Sequence, residues 1–248
     1  MDIDRIEAVV RPRNPWESID LGFSMVRHWW KPLYKIWFFF LLWIFIIFSL
    51  LCVFVGNSLW IIGFLLWWLK PLYDRIILYF FSHALFGEQP SFRKSLSSLL
   101  NTRLLMGLLW WRLDLVRSFN LPVWQLEGSR GKVASKRMKL LQKNTKGTAV
   151  WLTIICLHFE WVLMFSLFGL LYMFMPANVN FDFFQVVFFD ESYWVEILSL
   201  IFSLLVIGIV EPLYVAAGFA LYLNSRTRLE AWDIELGFRR IANELNKK

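Results

Sequence analysis

The chain has 248 residues, 58% of them hydrophobic, with a mean hydropathy of +0.52 and a formal net charge of +7. Hydrophobicity at that level lies above the globular range and predicts a chain whose solvent is largely lipid. The basic residues flank apolar runs instead of forming one patch, which points to anionic lipid headgroups and away from nucleic acid as their counter-charge.

The first expected element is an amphipathic cytoplasmic segment over residues 1–35. The acids Asp2 and Asp4 near its start exclude a cleavable signal peptide. Asn14, Pro15 and Glu17 read as a helix start, and Trp16, Ile19, Phe23, Val26 and Trp30 recur at helical spacing. This helix is expected to lie along the inner leaflet, with Trp29, Trp30, Lys31 and Lys35 as interfacial anchors.

Residues 36–86 read as a first transmembrane hairpin. Residues 36–55 carry no charge and as a helix would extend about 30 Å, the thickness of a bilayer core. Gly56, Asn57 and Ser58 form a turn, and a second span follows over 59–86. That span carries Lys70, Pro71, Asp74 and Arg75 near its centre, so it must be kinked, shielded by protein or open to an aqueous cavity there.

Residues 87–147 form a basic cytoplasmic loop, with Lys and Arg from Arg93 through Arg117 to Lys146. Its apolar stretch between Arg103 and Arg112 is too short to span, and reads as an interfacial helix or, alternatively, as a re-entrant segment over 96–119. A second transmembrane hairpin occupies 148–223. Its spans are 148–175, with His158 and Glu160, and 197–223, with Glu211 and Pro212. Residues 224–248 are expected to form a cytoplasmic C-terminal helix whose apolar stripe changes side near Gly237.

Orientation follows from the distribution of charge. The loop over 176–196 carries Asp182, Asp190, Glu191 and Glu196 and no Lys or Arg, whereas the opposite side holds every basic flank. The positive-inside rule therefore puts both termini in the cytoplasm. The predicted fold class is all-α: a polytopic transmembrane helical bundle of about four spans plus amphipathic interfacial helices.

A charge followed by Pro-Leu-Tyr occurs at Lys31-Pro32-Leu33-Tyr34, Lys70-Pro71-Leu72-Tyr73 and Glu211-Pro212-Leu213-Tyr214, so the two hairpins could be a duplicated unit. Lys70, Glu160 and Glu211 fall near mid-span, where a lone charge costs roughly 2.5 to 3.5 kcal/mol on insertion scales. Two readings stand. In the structural one, Lys70 pairs with Glu211 or Glu160, and Asp74 with Arg75 or its neighbours, holding the bundle in register. In the functional one, these residues together with His83 and His158 line a polar cavity for an ion, a proton or a lipid headgroup. Pro71 and Pro212 each free a backbone carbonyl one turn earlier for a neighbour or a ligand.

No catalytic motif is present, and neither a cofactor nor a metal site is expected. His158 and Glu160 stand two apart and face different sides of a helix, and Cys52 and Cys156 read as apolar packing.

The C-terminal run from Leu221 to Leu236, with Tyr222, Arg226, Arg228, Glu230, Asp233 and Glu235, resembles the pattern LYxxxRxRxExxDxEL. That pattern closes the membrane domain attached to some bacterial glycerophosphodiester phosphodiesterases, a domain also found in stand-alone bacterial inner-membrane proteins. The region around Trp16 to Leu21, and Gly87-Glu88-Gln89-Pro90, are similar to other segments of that family. The resemblance implies a multi-pass protein of the bacterial inner membrane without the catalytic domain, hence no enzyme activity. Within the motif, Arg226 and Glu230 stand at helical pairing distance, as do Glu235 and Arg239. The function expected is that of a component or assembly partner of a membrane complex, through another membrane protein or self-association. The alternative is a small transporter or lipid-handling protein with a polar intramembrane site.

Overall fold

The computed structural model of the chain describes residues 11–55, 59–87, 113–175 and 193–230. Among these the secondary structure is helical throughout, with no strand. The helices are α1 (Pro15–His28), α2 (Trp30–Val55), α3 (Leu59–Trp68), α4 (Lys70–Ala84), α5 (Arg117–Gln125), α6 (Gly131–Gln142), α7 (Lys146–Phe174) and α8 (Tyr193–Glu230). The stretch between Arg103 and Arg112 expected as an interfacial helix lies outside the described residues, as do the loop with Asp182 and Asp190 and the tail with Asp233 and Glu235.

Three helices are long and apolar enough to cross a membrane, through Trp30–Ile47 of α2, Lys146–Phe174 of α7 and Trp194–Glu230 of α8. The second expected span is instead two helices of 10 and 15 residues that meet at Leu69. Pro71 is the cause. Without an N–H it cannot bond back to the Trp67 carbonyl, and the turn tightens so that the Leu72 N–H reaches the Leu69 carbonyl at 2.9 Å. The same four-residue pattern opens α2, where Trp29 leaves helical geometry just before Lys31 and Pro32. At Glu211-Pro212 the helix runs on unbroken.

Burial is distributed as in a lipid-facing bundle. The spanning window of α7 is only 6% buried, and its outward side chains include Trp151, Ile155, Phe159 and Val162. Phe38, Leu42, Trp43 and Ile46 face outward from α2 in the same way. Lys70, Asp74, Arg75, Arg117 and Glu211, by contrast, lie inside. An apolar rim around a charged interior is favourable only when the surroundings are apolar.

The axis of the assembly is α8, against which α1, α3, α4, α5, α6, α7 and α2 all pack. Its small residues let neighbours approach closely. A Cβ on Gly22 of α1 would lie 2.5 Å from the Ala217 Cα, so the α1 and α8 backbones nearly touch. This close approach sets which face of α1 is covered. The helix begins as expected, with the Asn14 side chain accepting from the Trp16 N–H at 3.2 Å and Pro15 leading. Its buried face, however, is Ser18, Ile19, Gly22, Met25 and Val26, while Trp16, Phe23 and Trp30 of the expected stripe are exposed. The narrowest residue, not the widest, marks the contact.

Helix α5 departs most from expectation. Residues assigned to a basic loop form a helix in which Arg117, Ser118, Phe119, Asn120, Leu121, Pro122 and Val123 are all buried. It runs beside α8 in the same direction, from the Ser118 N–H on the Tyr214 hydroxyl at 3.3 Å to Glu127 accepting from the Tyr222 hydroxyl at 2.8 Å. Gly218 makes room for it, since a Cβ there would lie 2.3 Å from the Ser118 side chain. The chain then turns through Gly128 and Gly131, both at positive φ (63° and 55°), into α6.

Candidate functional site

The interior charges form one alternating chain. Lys70 and Asp74 are one turn apart on α4 and so share a face. Glu211 faces them from α8, Arg117 from the start of α5 and Glu160 from the middle of α7. Arg117 Nε lies 2.6 Å from Asp74 Oδ2, and Arg117 Nη2 lies 3.0 Å from Glu211 Oε1. Lys70 Nζ lies 3.3 Å from the other Glu211 oxygen and 2.5 Å from Glu160 Oε1. The Arg117–Asp74 contact is close but poorly aligned, making it an ion pair and not a directional hydrogen bond.

Four of these groups are dry: Asp74 is 0% exposed, Glu211 1%, Lys70 2% and Arg117 8%. Glu160, with 19% of its side chain exposed, is the end of the chain that meets open space. Beside it lies a cavity of about 200 Å³ between α3, α7 and α8, with Leu66, Trp67, Met164 and Ser203 in its wall and Lys70 and Glu160 at its polar end.

Packing fixes the charges in place. The Arg117 guanidinium sits over the Tyr214 ring, 5.3 Å from its centroid. The Tyr214 hydroxyl in turn lies 3.1 Å from the Thr153 hydroxyl of α7. One turn before Glu211, the Gly208 carbonyl accepts from the Trp37 indole N–H at 3.0 Å. This is the carbonyl that Pro212 cannot reach, so a side chain of α2 fills the vacancy anticipated from the sequence.

Of the residues singled out in the sequence, Lys70, Asp74, Glu160 and Glu211 come together. Arg75 is buried nearby on α4, with its carbonyl accepting from the Gln125 amide at 2.9 Å, and the cation on Asp74 is Arg117. The histidines stand apart. His83 Nδ1 bonds back to the Tyr79 carbonyl at 2.9 Å near the far end of α4, and the exposed His158 bonds back to the Ile154 carbonyl at 2.8 Å. Each bonds back within its own helix, and neither is in the wall of the cavity beside Glu160. Arg117 was the residue missed. Its only signal in the sequence is its apolar setting, with Val116, Phe119, Leu121 and Val123 around it.

A second polar cluster surrounds the C-terminal motif. Arg226 pairs with Glu230 at 2.7 Å, as its spacing predicts, and donates to the Tyr222 hydroxyl at 3.3 Å. Arg137 of α6 forks onto Glu127 at 2.9 and 3.1 Å and also reaches Glu230. Hydrogen bonds to Glu127 raise the Arg137 pKa above its ordinary value despite partial burial, so the fork stays charged. Asn224 clamps the N-terminal segment, accepting from the Arg13 N–H at 2.8 Å and donating to the Arg13 carbonyl at 2.9 Å. Arg228 donates to that same carbonyl. The motif thus ties the entrance of α1, the α5–α6 turn and the end of α8 into one knot.

Compared with protein-family models, characterised proteins and solved structures, the chain matches none of them.

Proposed function

We propose that this chain is a non-enzymatic multi-pass membrane protein, a component or assembly partner of a membrane complex in the bacterial inner membrane, with both termini in the cytoplasm. The observation that carries the reading is Glu211. It is 1% exposed with a cation on each oxygen, Lys70 on one and Arg117 on the other. A carboxylate saturated and dry in this way is a fastener between helices; a site that loads and releases solute needs access. Purification of the native protein from mild detergent, with mass spectrometry of what remains bound, tests it. Stoichiometric retention of a membrane-protein partner supports the reading.

A second reading, of a small transporter or lipid-handling protein, is favoured by the cavity at the other end of the chain, where Glu160, paired with Lys70, meets open space. Under that reading a partner-free preparation would move solute or lipid in proteoliposomes, and Glu160→Gln would abolish the movement. That pair of results would overturn the first reading.

A further inference from the structure

The four faces of α6 differ sharply in chemistry. Ala134 and Leu141 are buried against the bundle. Directly opposite, at i, i+4, i+7 and i+11, lie Lys132, Lys136, Lys139 and Lys143, all exposed. Between these strips on one side stand Val133 and Leu140, 68% and 60% exposed. On the other side are the small polar residues Gly131 and Ser135. Among the described residues no carboxylate lies within ion-pair distance of any of the four lysines, whereas Arg137, on the inward side, takes both Glu127 and Glu230. Like charges aligned along a helix repel one another, and here nothing described offsets that repulsion.

Helix α6 is also tethered where a membrane surface would be. A short turn after Lys143 leads to Lys146, which opens α7, a helix long and apolar enough to span a membrane. Its C-terminal end is therefore held within a turn of the point at which that span begins. An apolar strip beside a lysine strip on a helix so placed has the chemistry of a segment lying in the headgroup layer.

We propose that α6 docks on the anionic headgroups of the bilayer in which the chain is embedded, with Val133 and Leu140 turned toward the acyl boundary and the lysine strip on lipid phosphates. The occupant is the membrane's own acidic lipid. This rests on the membrane reading above and adds to it a dependence on lipid charge.

The test uses the full chain in nanodiscs of phosphatidylcholine alone or with a third phosphatidylglycerol, followed by hydrogen–deuterium exchange. Amides of α6 should exchange at least tenfold more slowly in the acidic discs, with the difference lost in K132Q/K136Q/K139Q/K143Q and reduced by half-molar salt. A slowing that survives in the lysine variant, or identical α6 exchange in the two lipids, overturns the proposal. Amides of α7 serve as the control: slow exchange in both lipids and in the variant shows an embedded, folded chain. Fast exchange of α7 in both would instead sink the membrane reading itself. V133S/L140S, expected to weaken the lipid dependence while leaving the lysines intact, gives a second measurement should the quadruple variant fail to fold.

Discussion

The Trp37 indole N–H of α2 donates to the Gly208 carbonyl of α8 at 3.0 Å, taking the place of the backbone bond that Pro212 cannot make. Trp37 is 1% exposed, so neither group has water to fall back on. Trp37→Phe keeps most of the packing but strands the carbonyl, at a cost of about 1 to 3 kcal/mol. Pro212→Ala returns an N–H to α8 and should make Trp37→Phe markedly less costly. A double-mutant cycle by denaturant titration in micelles measures this, and strictly additive losses would show that the two residues are independent.

The alternating charges make a second prediction. Arg117→Met leaves Asp74 and one Glu211 oxygen buried without a cation and should cost about 3 to 5 kcal/mol. In an Asp74→Asn background the loss should be much smaller. Lys70→Met should couple to Glu211→Gln and to Glu160→Gln alike, since the ammonium touches both acids. Glu160→Gln alone should be the mildest of the single changes, because its carboxylate is the one partly open to the cavity. Folded yield that falls as far for Glu160→Gln as for Glu211→Gln would contradict the distinction drawn between them.

Which parts of this arrangement were legible in the sequence follows from what each part depends on. Lys70, Glu160 and Glu211 stand out because an ionisable group inside an apolar run demands a partner wherever the helices lie. Asn14 with Pro15, and Arg226 with Glu230, are local devices readable from spacing alone. Arg117 is not local. Its burial depends on Gly218 of a helix far along the chain leaving room for Ser118, and nothing near residue 117 reports that. The stripe on α1 divides for the same reason: Ile19 and Val26 are buried beside Gly22 while Trp16, Phe23 and Trp30 face outward, because a periodicity count of wide side chains does not see that the contact with α8 turns on Gly22. His83 and His158 stand out in the sequence as ionisable groups in apolar runs, yet each has a carbonyl of its own helix within reach.

Close packing at glycine gives a comparison with its own control. At Gly22 the nearest atoms to an added Cβ are Ala217 backbone at 2.5 and 2.6 Å, which cannot step aside without moving a helix. Gly22→Ala should therefore destabilise by about 1 to 3 kcal/mol. At Gly169 of α7 nothing lies within 4 Å, and Gly169→Ala should be neutral or gain up to about 1 kcal/mol from helix propensity. Thermal melts of the two variants in the same detergent should move in opposite directions or, at the least, differ in this order.

Asn224 offers a local readout at the end of the bundle. Its amide holds both the N–H and the carbonyl of Arg13, and Asn224→Ala removes both bonds while leaving α8 intact. The segment around Arg11 and Arg13 should then become a preferred site of limited tryptic cleavage, with the remainder of the chain as resistant as before. Asn224→Asp, which keeps an acceptor but loses the donor, should fall between. Cleavage at Arg13 unchanged in both variants would mean that Arg228 and the Arg11–Glu17 and Arg13–Glu17 pairs suffice to hold the segment.

Topology joins the sequence to the structure in a form that separates their failures. Arg13, Glu127, Arg137, Asn224 and Glu230 are bonded into one knot, so the entrance of α1, the start of α6 and the end of α8 lie at the same end of the bundle. Thr145, just before α7, lies 3.3 Å from the Ser225 hydroxyl and belongs to that end as well. Reporters fused before Asn14, within 130–146 and after Lys248 should accordingly give one common reading. The positive-inside rule adds that this reading is cytoplasmic, and that a reporter within 178–191, where Lys and Arg are absent, is external. If all four readings invert together, only the orientation drawn from charge is wrong and the knot stands. If the reporter before Asn14 disagrees with that within 130–146, the bonding between Arg13 and Asn224 or between Arg137 and Glu230 does not exist in the membrane. A cytoplasmic reading at 178–191 alongside cytoplasmic readings elsewhere would mean that α7 and α8 do not both cross, despite having the length and apolar character to do so.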